Sequence, residues 1–171
     1  MLTGVLRLRP LRIDDENAFV AAQRAMAEER FSFGIDYAIG IPWTNYLDTL
    51  EAHRRGIDLP IDRVPATFLV ADVAGQIVGR TSIRHELNEF LAREGGHIGY
   101  GVLAEYRRQG YATEILRQSL VIARAVGDDR VLVTCDEGNV GSAIVIERCG
   151  GVFESLINVA GGPPKRRYWI D

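Results

Sequence analysis

The sequence predicts an α/β protein, a mixed sheet flanked by helices, and three observations carry that reading. Apolar spacing alternates along the chain between the helical and the strand period. A continuous apolar run from Thr67 to Val73 meets a second strand, Gln76 to Arg84, across a tight Ala74–Gly75 turn, the pattern of a β-hairpin. From Gly99 to Leu116, a strand passes through a short basic loop with one glycine into a helix. The resulting order is β-α-α-β-β-β-α-β-α-β-β, a mixed sheet with helices and not a doubly wound nucleotide fold.

The elements follow in turn. Val5, Leu6, Leu8 and Leu11 mark a first strand. Asp14 offers an N-cap, with Asp15 and Glu16 in a favourable first turn. Ala18, Phe19, Ala22, Ala25 and Met26 then repeat at helical spacing, predicting a helix to about Glu29. Phe31 to Pro42 mixes aromatics with glycines and reads as a loop. Trp43 to Arg55 is a second helix with Trp43, Tyr46, Leu47 and Leu50 on one side, and Pro60 and Pro65 bracket the connection to the hairpin. His97 to Leu103 is the next strand. Ala112, Ile115, Leu116, Ser119, Leu120 and Ala123 line one face of a helix that ends near Gly127. Val131 to Thr134 is a buried strand and Lys165 to Ile170 the last one. Ser142 to Glu147 is ambiguous. Its β-branched Ile144, Val145 and Ile146 favour strand, while Asn139 as an N-cap and Gly150 as a stop allow a short helix.

The bulk numbers narrow the class. A length of 171 residues suits one domain spanning 1–171, and 47% hydrophobic with 25% charged residues is ordinary for a globular protein. A net charge of −3 argues against a nucleic-acid partner held by phosphate neutralisation. No apolar run reaches the roughly 18 residues of a membrane helix. The N-terminal stretch lacks the apolar core of a signal peptide, so a cytoplasmic location is expected. Cys135 and Cys149 form no CxxC pair and no zinc-type cluster, which predicts reduced, buried thiols and no metal.

The strand–loop–helix segment carries the chemistry. A helix start presents unpaired N–H groups and the positive end of the macrodipole, a site for a phosphate or pyrophosphate. Arg107-Arg-Gln-Gly110-Tyr-Ala112 there matches the pattern Q/R-x-x-G-x-G/A. With Val-Leu-Val-Thr-Cys-Asp, Asn139 and Gly150-Gly151 downstream, the chain resembles the GNAT superfamily of acyl-CoA-dependent N-acetyltransferases. The stretches Ile83–Asn88, Gly95–Tyr100 and Arg167–Ile170 resemble a bacterial subgroup of predicted acetyltransferases. The resemblance implies a mostly antiparallel central sheet with a splayed pair of strands. It also implies acetyl-CoA as cosubstrate, its pyrophosphate held by Arg107, Arg108, Gln109, Gly110, Tyr111, Ala112 and Thr113. Val102 and Leu103 would pair with the pantetheine, and Asn139 and Ser142 would complete the grip. The plainer readings are a solvated arginine pair and a simple helix cap at Asn139.

The implied reaction is direct attack of an amine on the thioester. Backbone N–H groups near Val102 or Leu103 are the expected oxyanion donors. His97, Glu86 and His85 are the candidate bases, since imidazole titrates near working pH. His85 and Asn88 are candidates for acceptor contact. The plainer alternatives are His97 bonded across the sheet, His85 and Glu86 at a solvated strand end, and Asn88 fixing the following turn. Many relatives in the family carry a tyrosine seven residues past the asparagine. Here that position is Ile146, so the acid falls to solvent, Cys135 or a tyrosine elsewhere. The expected function is acetyl transfer from acetyl-CoA to the amine of a small molecule or peptide; a homodimer is possible, and Tyr168 and Trp169 in the last strand are placed for either dimer or substrate contacts. The alternative is a non-catalytic acyl-CoA-binding domain. A nucleotide-binding domain is disfavoured, because neither a Walker Lys-Ser/Thr pair nor a three-glycine fingerprint is present.

Overall fold

The computed structural model describes residues 4–171; the first three residues of the N-terminal stretch lie outside it. Strand β1 (Arg7–Arg9) leads through a 3₁₀ turn into helix α1 (Glu16–Ala27), followed by α2 (Trp43–Arg54). Then come β2 (Ala66–Val73), β3 (Gln76–Arg84), β4 (Ile98–Val102), α3 (Tyr111–Val126), β5 (Val131–Asp136), α4 (Val140–Arg148), β6 (Val152–Ile157) and β7 (Lys165–Ile170). The order is the one the apolar spacing predicts. Ser142 to Glu147 is helical: the Asn139 side chain accepts from Ser142 N at 3.0 Å, and this cap outweighs the strand preference of three β-branched residues. A π-helical turn, Leu91–Gly95, is an element the sequence did not announce.

The strands form two antiparallel sheets, β1-β2-β3-β4 and β5-β7-β6. The main core lies between these sheets and the inner faces of α3 and α4, with Ile83, Leu116, Val133, Ile146 and Tyr168 fully buried. A second core packs α1, α2 and the intervening loop on the opposite face of β2 and β3, around Phe19, Phe33, Trp43 and Tyr46.

Hydrogen bonds join the strand edges of the two sheets at one point. His97 N donates to Leu132 O at 2.8 Å, and Leu132 N donates to His97 Nδ1 at 2.8 Å. The imidazole therefore supplies the acceptor that a neighbouring strand's carbonyl would otherwise provide. Gly96 makes the approach possible: its φ is +68°, and a Cβ there would stand 2.6 Å from Leu132 O. Beyond this clamp no ladder joins β4 to β5, and the strands diverge.

The clamp generates a stability prediction. His97→Ala strands the buried Leu132 amide, at a cost of about 1–3 kcal/mol before any packing loss, read as a lower urea midpoint. His97→Asn, whose Oδ1 reaches the Nδ1 position, is expected to recover most of it. Burial lowers the His97 pKa, opposed by Asp128 at 3.4 Å from Nε2. The folded chain thus resists a proton that the unfolded chain takes up below about pH 6.5. Stability falls as the pH drops through that value, and thermal unfolding should show this fall in the wild type and a smaller one in His97→Asn.

Candidate functional site

The divergence of β4 and β5 opens a cavity of about 630 Å³. Its walls are the end of β4, the last residue of β5, the first turns of α3 and α4, and the segment that follows α1.

The α3 end of the cavity is built to meet an anion. Gly110, the N-cap, has φ +86°, and no side chain caps the helix. Arg108 is also left-handed, with φ +62°, a conformation that costs a residue with a Cβ about 1–2 kcal/mol. Two left-handed residues so close together turn successive N–H groups toward one side, forming a concave nest. The nest sits at the positive end of a 16-residue helix. Arg107, Arg108, Gly110, Ala112 and Thr113 all line the cavity, whereas Gln109 and Tyr111 do not. Arg107 is not free in this state: Nε donates to Val102 O at 3.0 Å and Nη2 to Glu29 at 2.6 Å. Arg30 and Arg148 add cationic side chains to the wall that no local motif signals.

The register of β4 assigns its free edge. Leu103 N donates to Val78 O at 3.0 Å, and Arg84 N to His97 O at 2.8 Å, so from Gly99 onward the odd-numbered residues point their backbone groups at β3, while the His97 amide is turned to Leu132. The backbone of Tyr100 and Val102 consequently faces the gap. Leu103, expected to share the pantetheine-pairing edge, is corrected by this parity: its amide is spent inside the sheet, and its side chain is buried in the second core.

At the start of α4, Asn139, Gly141, Ser142 and Val145 line the cavity. Ile146 does not; it is fully buried in the main core. The far wall is Met26, Glu29 and Phe31. Phe31 is held by Arg80 of β3, whose guanidinium stacks on the ring at 4.5 Å and donates to Gly99 O at 3.0 Å and Ser32 O at 2.7 Å. Burial without a carboxylate partner brings the Arg80 pKa down to about 9.

The proposed bases and acceptor contacts lie elsewhere. His97 has both functions of its ring engaged, Nδ1 by Leu132 N and Nε2 beside Asp128, and it is 5% exposed. Its ring forms the strand clamp, and it does not line the cavity. Glu86 is exposed on the turn after β3 and lines no part of the cavity. His85 is turned to Thr67, with Nε2 and Oγ1 at 2.8 Å, and burial lowers its pKa. Asn88 fixes the turn, accepting from Leu91 N at 2.9 Å and donating to Asp62 O at 3.1 Å. Cys135 is buried in the main core, which pushes its thiol up to about 11. Trp43 and Tyr46 are core residues, each donating to a loop carbonyl. The carboxylates that do reach the cavity are Glu29, paired with Arg107, and Asp136, whose Oδ1 accepts from Lys165 Nζ at 2.7 Å. Neither was singled out, because each belongs to a segment distant in sequence from the basic loop.

Among the described residues there is no cluster of three metal-ligating side chains, and no helix is long and apolar enough to cross a membrane. No curated protein matches the sequence. The fold is similar to that of Mycobacterium smegmatis RimJ in complex with CoA-disulfide, at 21% identity over 98% of this chain and 82% of that one, TM-score 0.71. It is similar to RimL, a ribosomal L7/L12 alpha-N-protein acetyltransferase in complex with coenzyme A, at 17% identity over 99% and 95%, TM-score 0.66. It is also similar to yncA from Salmonella typhimurium with its cofactor acetyl-CoA, at 14% identity over 96% and 92%, TM-score 0.65. Residues 6–152 match the acetyltransferase (GNAT) domain. The chain belongs to the GNAT acetyltransferase family.

Proposed function

We propose that the protein transfers the acetyl group of acetyl-CoA to a primary amine of a small molecule or peptide by direct attack. The observation that carries this reading is the uncapped start of α3, flanked by arginines and opening into the same cavity as the unpaired edge of β4. A molecule with an anionic end and an amide-bearing arm matches both features at once. The nest and Arg108 suit the pyrophosphate. The Tyr100 and Val102 backbone groups suit the pantetheine amides, as an added strand would. Two of the similar folds carry coenzyme A and one acetyl-CoA, and RimL acts on a protein α-amine, which supports the same assignment and an exposed amine as acceptor.

In the reaction, the neutral amine attacks the thioester carbon and the carbonyl oxygen becomes an oxyanion. The gap-facing N–H groups of β4 are the preorganised donors for it. Collapse breaks the C–S bond, the sulfur keeps the electron pair, and the nitrogen loses one proton. Asp136, on the splayed end of β5, accepts that proton directly or through water. Holding both reactants in one cleft supplies much of the remaining acceleration.

Release of free thiol from acetyl-CoA with a panel of amines and N-terminal peptides tests the reading. Acetyl-CoA is expected to raise the melting temperature while ATP and NAD do not. Thermal stabilisation with no thiol release on any amine would instead mark a domain that only binds acyl-CoA. Arg108→Ala, which removes a charge-assisted contact of about 1.5–3 kcal/mol, should raise KM for acetyl-CoA about tenfold or more with kcat retained. Asp136→Asn should lower kcat by about 10² with little effect on acetyl-CoA affinity.

A further inference from the structure

Arg80, Ser82 and Arg84 alternate onto one side of β3, and the residues opposite the first two on β4 are Gly101 and Gly99. The guanidinium of Arg84 lies over Gly99, where a Cβ would stand 3.1 Å from Nη1 and 3.3 Å from Nη2. Phe31 takes the matching space over Gly101, and Arg80 links the two, stacked on Phe31 and bonded to Gly99 O. The two arginines differ in what they have left to offer. Arg80 spends both Nη groups on carbonyls and its Nε is sealed away, so it is a fixed strut. Arg84 is partly exposed, and its side chain makes two long contacts, Nη1 to Gly95 O and to Gly96 O at 3.5 Å each, at the outer limit of a hydrogen bond. Among the described residues no carboxylate pairs with Arg84; the charge that acts on it is another cation, Arg63, whose own partner is Asp36. Burial first, and the Arg63 charge after it, bring the Arg84 pKa down to about 10, so it is still charged at neutral pH. A half-buried cation without a counter-ion is costly, and folds ordinarily pair it.

We propose that Arg84 anchors a carboxylate of the acceptor, so that the acceptor is an amine carrying a carboxylate a few bonds away; this rests on the cavity being the acetyl-CoA site. The exposed part of the guanidinium is a planar fork of donors, the shape that meets a carboxylate with two parallel bonds. Its place fits the acceptor and not the cosubstrate. Gly99 and Gly101 face the side of β4 opposite the Tyr100 side chain, the side on which α1, α2 and the loop between them pack. Measured along β4, Gly99 is two residues, about 7 Å, from Gly101, and Gly101 and Phe31 both line the cavity. An amine four bonds from its carboxyl carbon reaches about 5 Å, which carries the nucleophile from Arg84 back toward the cavity. An acidic first residue of a peptide has this chemistry, and so does a small amino acid with its amine at the far end. Arg80 and Arg63 add positive potential at the same place. A carboxamide in the same position leaves the Arg84 charge without its counter-ion, and that difference is the source of selectivity.

The test uses the intact protein saturated with CoA, and thermal stabilisation by CoA is its first readout. A protein that CoA does not stabilise overturns the reading of the cavity, and the anchor with it; one that CoA stabilises isolates the role of Arg84. Calorimetric binding is then measured with the peptide Glu-Ala-Ala amide against Gln-Ala-Ala amide, and with 4-aminobutyrate against its amide. In each carboxylate the amine and the carboxyl carbon are four bonds apart. In at least one pair the carboxylate is expected to bind about tenfold tighter or more. Discrimination in the peptide pair identifies a polypeptide N-terminus, and discrimination confined to 4-aminobutyrate a small molecule; either supports the anchor. Where thiol is released from acetyl-CoA, kcat/KM should show the same ratio. Arg84→Gln keeps a donor and much of the volume but loses the charge, and should bring the ratio to about threefold or less while CoA still stabilises the variant. Arg84→Lys, with the charge but without the fork, should keep part of the ratio, which answers the question should the glutamine variant not fold. An arginine that only holds the Gly95 and Gly96 carbonyls predicts the opposite, a less stable Arg84→Gln with its ratio unchanged, and that result overturns the proposal. So does equal binding of carboxylate and carboxamide in both pairs to the CoA-loaded wild type.

Discussion

The structure turns on a histidine side chain that does the work of a strand. His97 closes the junction between the two sheets by accepting the Leu132 amide while its own amide donates to Leu132 O. Both strands begin at this clamp, and both end at the cavity. A continuous ladder from β4 to β5 would have closed the cleft; no contact at all would have left two sheets hinged only by α3 and α4. A side-chain acceptor at the first residue joins the strands for one position and then lets them part. The orphan edge of β4 is the result, and the cavity opens along it.

The cleft is made of deliberately unfinished groups. The α3 N-terminus lacks a side-chain cap, the gap-facing backbone of Tyr100 and Val102 has no strand partner, and Arg108 holds a left-handed backbone. Each is a small loss of stability in the empty protein. Their concentration in one place, while the rest of the fold is locally consistent, is the signature of a site shaped for function. The well-packed halves on either side, around Phe19 and Tyr46 and around Leu116 and Ile146, offset these losses.

Much of this was legible in the sequence, for a physical reason. Strands and helices are set by spacing within a dozen residues, so the element order and the hairpin are readable. The anion loop is readable too, because Arg107 to Thr113 is contiguous. The ambiguity at Ile144–Ile146 is resolved by a single cap bond from Asn139. What spacing does not convey is how distant segments meet. His97 looked like a base because its strand is central, but its partner Leu132 lies 35 positions away. Leu103 and Val102 are adjacent, yet only the antiparallel register with Val78 says which one faces the gap. Asp136 and Glu29 reach the cavity from elements with no local signature.

Arg107 gives the empty cleft a property of its own. Its guanidinium occupies Val102 O and ties Glu29, at the end of α1, to the floor of the gap. The strand edge therefore has a resident tenant, and any arm that pairs with that carbonyl displaces it. Occupancy is an exchange of hydrogen bonds with small net enthalpy, and its driving force comes from the anionic end and the apolar contacts. The displaced arginine also releases its hold on α1. On the proposed reading, filling the cleft along β4 is thus mechanically linked, through a single side chain, to the wall that carries Glu29.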